Sequence, residues 1–171
     1  MLTFEDGVMH ARAAEFVERA RDRYGIAVEV MEFDEGTETA AAAAEAVGCE
    51  TGAIASTIVV ALSGGPRDGE LVVAITSGAN RLDLDAVATH FDAESAAMGD
   101  PDAIRETVGW SIGGVPPLCH DAALPTVFDP ALTTYEVVYG AAGTPSAVFP
   151  IDPKTLDDLA DATIVDVTES A

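Results

Sequence analysis

The sequence predicts a single compact α/β domain whose sheet is not purely parallel. Three observations carry this. Segments with apolar residues at helical spacing alternate with short runs rich in Val, Ile and Thr, the order expected of an α/β chain. Two such runs, 53–62 and 70–76, flank the turn "GGPRDG" (64–69) and read as a hairpin, which an all-parallel sheet would not contain. At 171 residues and 49% hydrophobic, the chain is also long and apolar enough to bury a sizeable core.

Met9, Ala13, Phe16, Val17, Ala20 and Tyr24 recur on one helical face, and Gly25 ends that helix. "IAVEVMEF" (26–33) alternates with period two, as a strand does. Thr37 or Thr39 can cap a helix through "AAAAAEAVG", stopped by Gly48. After the hairpin, "RLDLDAVATHF" (81–91) and "DPDAIRETVG" (100–109) read as two short helices. Short strands follow at 125–129, 135–140 and 146–150. A helix over 152–161, with Pro153 in its first turn, precedes a last strand at 163–168. No linker, repeat or low-complexity tract interrupts this order.

Charge sets a second constraint. Thirty acids against 8 bases give a net charge of −22, spread along the chain without an acidic tail. Such a surface repels itself in dilute buffer and is tolerable where salt screens it: at ~1 M the Debye length is about 3 Å. The composition therefore points to a salt-rich cytoplasm, the alternative being an ordinary acidic soluble protein. The longest apolar run, 53–62, is far short of the ~20 residues of a membrane span. "MLTFEDGVMH" lacks the basic start of a signal peptide. Cys49 and Cys119, without a CxxC pair or a histidine at ligand spacing, predict reduced thiols and no zinc site.

Four stretches could carry chemistry. "SIGGVPPLCHD" (111–121) places Gly113 and Gly114, which lack a Cβ, ahead of Val115 and the stiffening Pro116 and Pro117. It is either a tight connection or a loop presenting main-chain N–H groups to an oxygen ligand. In "TSGANRLD" (76–83) Ser77, Gly78 and Asn80 make a turn at the strand end, which is either a plain strand-to-helix turn with Asp83 near the helix start or a site in which Arg81 clamps a phosphate or carboxylate. His120 could move a proton or be structural. The small residues of "YGAAGTPSAVF" (139–149), with Gly143 and Thr144 at its bend, either thin a pocket wall or pack tightly. Neither a dinucleotide fingerprint nor a P-loop occurs.

In their order and spacing, "TETAAAAAEAVG", "SGANRLD", "TVGWSIGGVPPLCH", "PTVFDPAL" and "AAGTPSAVF" resemble the YbaK-like, prolyl-tRNA-editing domain family. The resemblance spans roughly residues 9–168 and leaves 1–8 as an N-terminal extension, with Met9 as an alternative start. It implies a strongly curved mixed sheet flanked by helices. It also implies a free-standing aminoacyl-tRNA deacylase that removes a small mischarged amino acid without a metal or other cofactor. Its partners would be the tRNA 3′ end and an aminoacyl-tRNA synthetase.

On this resemblance Gly113, Gly114 and Pro117 shape a carbonyl-facing loop, which acts like an oxyanion hole. Phe33 falls at the pocket edge. Ser77, Gly78, Arg81, Val115, His120, Gly143 and Thr144 complete the substrate-contacting set. The chain departs from the family at one position. Where the family strand carries a lysine, as in "VKSLV", this one reads "IASTIV", and Ser56 stands in the lysine's place. A serine supplies no fixed positive charge. The alternative function is therefore a non-catalytic module that binds the aminoacyl or tRNA end. The net charge of −22 also repels tRNA in dilute salt, so binding must rely on short contacts at high ionic strength.

Overall fold

A computed structural model describes residues 10–34, 36–37 and 39–169. The extension over 1–8 and Met9 lie outside the described residues. Helix α1 (Ala11–Tyr24) buries Ala13, Phe16 and Ala20 and ends at Gly25, whose φ of 71° favours glycine. Strand β1 (Met31–Glu32) leads to α2 (Ala40–Val47), capped by Thr39, whose Oγ1 accepts from Ala42 N. Thr37 is not the cap; its hydroxyl and amide both bond Pro145 O.

Strands β2 (Ile54–Ser63) and β3 (Leu71–Ser77) form the expected hairpin, from Ala55 opposite Ser77 to Ala61 opposite Leu71. Then come α3 (Leu84–His90), β4 (Ser95–Met98), α4 (Pro101–Val108), β5 (Thr126–Phe128), β6 (Val138–Ala141), β7 (Ala147–Ile151), α5 (Pro153–Ala160) and β8 (Thr163–Ile164). Asp83, Asp100 and Asp152 begin α3, α4 and α5, each carboxylate accepting from two main-chain amides. Part of the acid excess is thus spent on helix starts.

The sheet is mixed, as expected, in the order β1-β7-β6-β2-β3-β5-β8, with β4 added along the C-terminal half of β2. β2 pairs with β3 and β4 antiparallel and with β6 parallel; β3 with β5 and β5 with β8 are parallel. Because both faces of the centre are covered, β3 reads as a continuous apolar run. Val73 and Ile75 enter one core with Phe16, Trp110, Phe128 and Phe149, while Val72 and Ala74 enter another with Val60, Leu62 and Val87.

Three strand expectations need correction, and β4 was not expected. Of 135–140 only Val138–Gly140 lies in a strand, β6. Only Met31–Glu32 of 26–33 joins the sheet; Ile26, Val28 and Val30 do pack on the first core, but as extended chain without a partner strand. Likewise only Thr163–Ile164 of 163–168 pairs, while Val165 and Val167 pack on the second core. Period two reports which side chains face inward, whereas a ladder needs a neighbour at the right distance. β4, with its sequence "SAAM", has no periodic apolar signal because its residues lie largely exposed on the sheet edge.

Five ion pairs occur among the described residues, and they use only Arg12, Arg19, Arg67 and Arg105. Most of the carboxylates therefore have no cationic partner. No helix among the described residues is long and apolar enough to cross a membrane. Raising KCl from ~0.1 M to ~2 M should raise the melting temperature by screening that repulsion. A melting temperature that is flat or falls across this range would show that the surface charge does not strain the fold.

Candidate active site

The glycine- and proline-rich loop begins where α4 ends, at Gly109 with φ 89°. Its base is closed by a bond from Asp121 N to Val108 O (2.9 Å). Trp110 is fully buried at its start, and the indole N–H donates to Cys119 O (2.9 Å). Three arginines of α1 fasten it from outside. Arg12 donates to Gly109 O and lies 4.1 Å from the centroid of the Trp110 ring. Arg19 pairs with Asp121 (2.7 Å), and Arg23 donates to His120 O (2.7 Å). The Tyr24 hydroxyl accepts from Cys119 N.

A second Gly-rich stretch interlocks with the first. A Cβ on Gly114 would stand 2.7–2.8 Å from the backbone of Thr144. One on Gly143 would meet the Trp110 ring at 2.7 Å, and one on Gly140 would meet Pro117 at 3.0 Å. "IGGVPP" and "YGAAGT" are therefore pressed together, backbone against backbone. Here the bend's small residues serve close packing, which in turn fixes the wall of a cavity.

That cavity has a volume of about 480 Å³. The loop contributes Ile112, Gly113 and Val115; α2 contributes Thr39, Ala40 and Ala43; β6 contributes Tyr139, Gly140 and Ala141. Met98, Gly99 and Ile104 close another side, and Met98 and Ile112 are exposed at its rim. Ser56 and Thr57 of β2 also line the cavity. No described residue that lines it carries a charge, in a chain with a net charge of −22.

The cavity sits at a break in the sheet. On the edge of β2 away from β3, pairing with β6 stops at Ala55, opposite Gly140, and pairing with β4 begins at Val60, opposite Met98. Gly78 N donates to Ile54 O, and Gly99 N to Val59 O. Even-numbered residues of β2 thus turn their main-chain groups toward β3, and odd-numbered ones toward the break. Thr57 is the odd-numbered residue with no strand opposite it. Its side-chain Oγ1 is also buried without a hydrogen-bond partner among the described residues.

Ser56, Gly113 and Val115 are thus brought together in the cavity. Gly114 and Pro117 lie behind the wall with Gly143 and Thr144, and the Gly114 N–H is committed to Ser111 O. Phe33 packs with Ala43, Ile54 and Val148. The Ser77 hydroxyl donates to Gly52 O, and Gly78 is wedged against Ala40 and Thr51. Asp129, itself buried, accepts from Ser77 N, Asn80 Nδ2 and Ala131 N and so holds the 76–83 turn. Arg81 is exposed and does not line the cavity.

His120 faces a different depression, of about 620 Å³, which shares no lining residue with the first. Its Nε2 lies 2.6 Å from Pro116 O, and burial lowers its pKa, which favours the neutral ring. Burial pushes the Cys119 thiol up to about 11, so it stays protonated. The sequence places Ser56 and Thr57 inside an apolar strand, one expected to face the core and the other a cavity; both line this cavity, whereas the α2 alanines carried no site signal.

An aminoacyl-tRNA editing domain model matches residues 34–159. The chain belongs to the aminoacyl-tRNA editing domain family. A solved structure described as a candidate trans-editing enzyme for prolyl-tRNA synthetase superposes with a TM-score of 0.86 at 33% identity, covering 95% of this chain and all of that one. YwhH of Bacillus subtilis (strain 168), an uncharacterized protein, is 29% identical over 133 residues, which is 76% of this chain and 80% of that protein. The hypothetical protein APE2540 shares the fold, with a TM-score of 0.78 at 24% identity over 90% of this chain and 99% of that one.

Gly114→Ala should lower stability by about 1–3 kcal/mol, because the new methyl has main chain and not a flexible side chain in its way. Urea unfolding measures this directly. A variant as stable as the parent would mean that the two loops are not in close contact.

Proposed function

We propose that this chain hydrolyses the ester joining a small, wrongly attached amino acid to the 3′ end of a tRNA. The observation that carries the reading is the cavity wall. In a member of the aminoacyl-tRNA editing domain family, it is uncharged, built largely of Ala, Gly and main chain, and within the size range of small-ligand sites. Ala40, Ala43 and Ala141 leave room for a small side chain, and the absence of charge disfavours acidic or basic ones.

In the reaction, water oxygen bonds to the ester carbonyl carbon while the carbonyl electron pair moves to its oxygen. Collapse then breaks the bond to the ribose oxygen, which takes up the proton, and the free amino acid leaves. Main-chain N–H groups at the cavity wall would stabilise the developing oxyanion. Gly113 and Val115 are the loop residues that line the cavity, whereas Gly114 shapes the turn. With no carboxylate, histidine or lysine among the described residues that line the cavity, water would be held by main chain and by the terminal ribose hydroxyl.

Likeness to the candidate trans-editing enzyme for prolyl-tRNA synthetase supports tRNA and a synthetase as partners. The acidic composition supports a salt-rich cytoplasm as the setting. One observation favours a second reading, a module that binds the aminoacyl end without cutting it. Ser56 stands where the family carries lysine, and no other cation lines the cavity among the described residues.

The test is release of amino acid from tRNAs carrying alanine, cysteine or serine, at molar salt, against spontaneous hydrolysis. Release of at least one above that background, abolished by Gly113→Ala, is the expected result. No release above background would leave the binding module, and a large gain in Ser56→Lys would then identify a lapsed enzyme.

A further inference from the structure

We propose that the cavity holds its acyl group by main-chain pairing, with the aminoacyl unit laid antiparallel to β2 opposite Thr57, as a one-residue strand filling the break between β6 and β4. The inference rests on the deacylase-or-binder reading of this cavity and adds how the substrate's reacting atoms are held. It begins from register. β2 pairs with β3 without interruption from Ala55 to Ala61, so the strand is held straight past the break. On its other edge β6 covers residues 54–55 and β4 covers 60–63. The alternation fixed by the Gly78-to-Ile54 and Gly99-to-Val59 bonds aims both main-chain groups of Thr57 into the gap. None of the bonds outside the ladders reaches them among the described residues.

A donor and an acceptor side by side on one residue match what an aminoacyl ester offers. In the hydrogen-bonded antiparallel pair, each residue donates its N–H to the other's carbonyl. Here the α-ammonium donates to Thr57 O, and the ester carbonyl accepts from Thr57 N–H. The atom after that carbonyl is the ribose oxygen, which has no N–H to satisfy, so a single residue fits a gap too short for a strand. The antiparallel direction sends the ester toward β6, where Tyr139 and Gly140 line the cavity. The acyl side chain falls on the same face as that of Thr57, beside the buried hydroxyl that has no partner. Pairing also resolves an electrostatic difficulty. Among the described residues the lining offers no carboxylate for the ammonium, and the Thr57 main-chain carbonyl is an acceptor at the strand edge.

The test uses the full chain and two non-hydrolysable probes: 3′-alanylamino-3′-deoxyadenosine and its propionylamino counterpart, which lacks only the ammonium. Affinities are measured by calorimetry, and amide exchange at Thr57 by NMR. The alanylamino probe should bind and slow exchange of the Thr57 N–H. The propionylamino probe should bind at least ~10-fold more weakly, as expected for loss of a charge-assisted hydrogen bond. If the alanylamino probe binds but Thr57 exchange is unchanged, or if both probes bind equally, the pairing is wrong while the acyl cavity stands. If neither probe binds and no tRNA is deacylated, the reading of the cavity fails and the pairing with it.

Discussion

β2 is required to pair with three strands, and the lengths of β6 and β4 leave residues 56–59 of one edge without a strand partner. Everything around the candidate site follows from that mismatch. β3 gives β2 a full-length partner and rigidity, while β6 and β4 each cover one end of the opposite edge. A break in a sheet normally leaves polar main chain buried at a cost. Here it opens into a cavity with small residues on α2 and β6 and a preformed glycine loop across it. The hydroxyl of Thr57, buried without a hydrogen-bond partner among the described residues, belongs to the same break.

The rest of the architecture keeps that wall in place with few cations. The chain has 8 lysines and arginines, and α1 carries Arg12, Arg19, Arg21 and Arg23. Arg12, Arg19 and Arg23 bond main-chain carbonyls of the loop at its two ends, and Trp110 lies beneath the first two. The bonds of Arg12 and Arg19 are part-buried and so partly shielded from salt, whereas that of Arg23 is exposed. A protein with a net charge of −22 can therefore hold its loop firmly while its carboxylates face solvent.

Much of the fold was legible in the sequence because helix stops and turns have local chemistry. Gly25, Gly48 and Gly109 sit at positive φ where the helices were expected to end, and "GGPRDG" makes the hairpin. β4 was not legible, since an exposed edge strand needs no apolar period, and 26–33 kept its period without gaining a partner. At the site, the loop was legible as unusual composition, but its two possible uses were not separable by composition. Gly114, Gly143 and Thr144 show why: close packing and ligand contact call for the same small residues. Thr57 was legible only in part: it and Ser56 stood out as polar residues in an apolar strand, one expected at the core and one at a cavity, but its main-chain role was not. Its part depends on which strands stop beside it, and no local pattern encodes that.

A crystal structure of the chain with 3′-alanylamino-3′-deoxyadenosine tests the central claim most directly. The account predicts the acyl group in the cavity, its carbonyl oxygen about 3 Å from Thr57 N and its ammonium the same distance from Thr57 O. Acyl density in the depression beside His120, or in the cavity but turned away from the β2 edge, would contradict it.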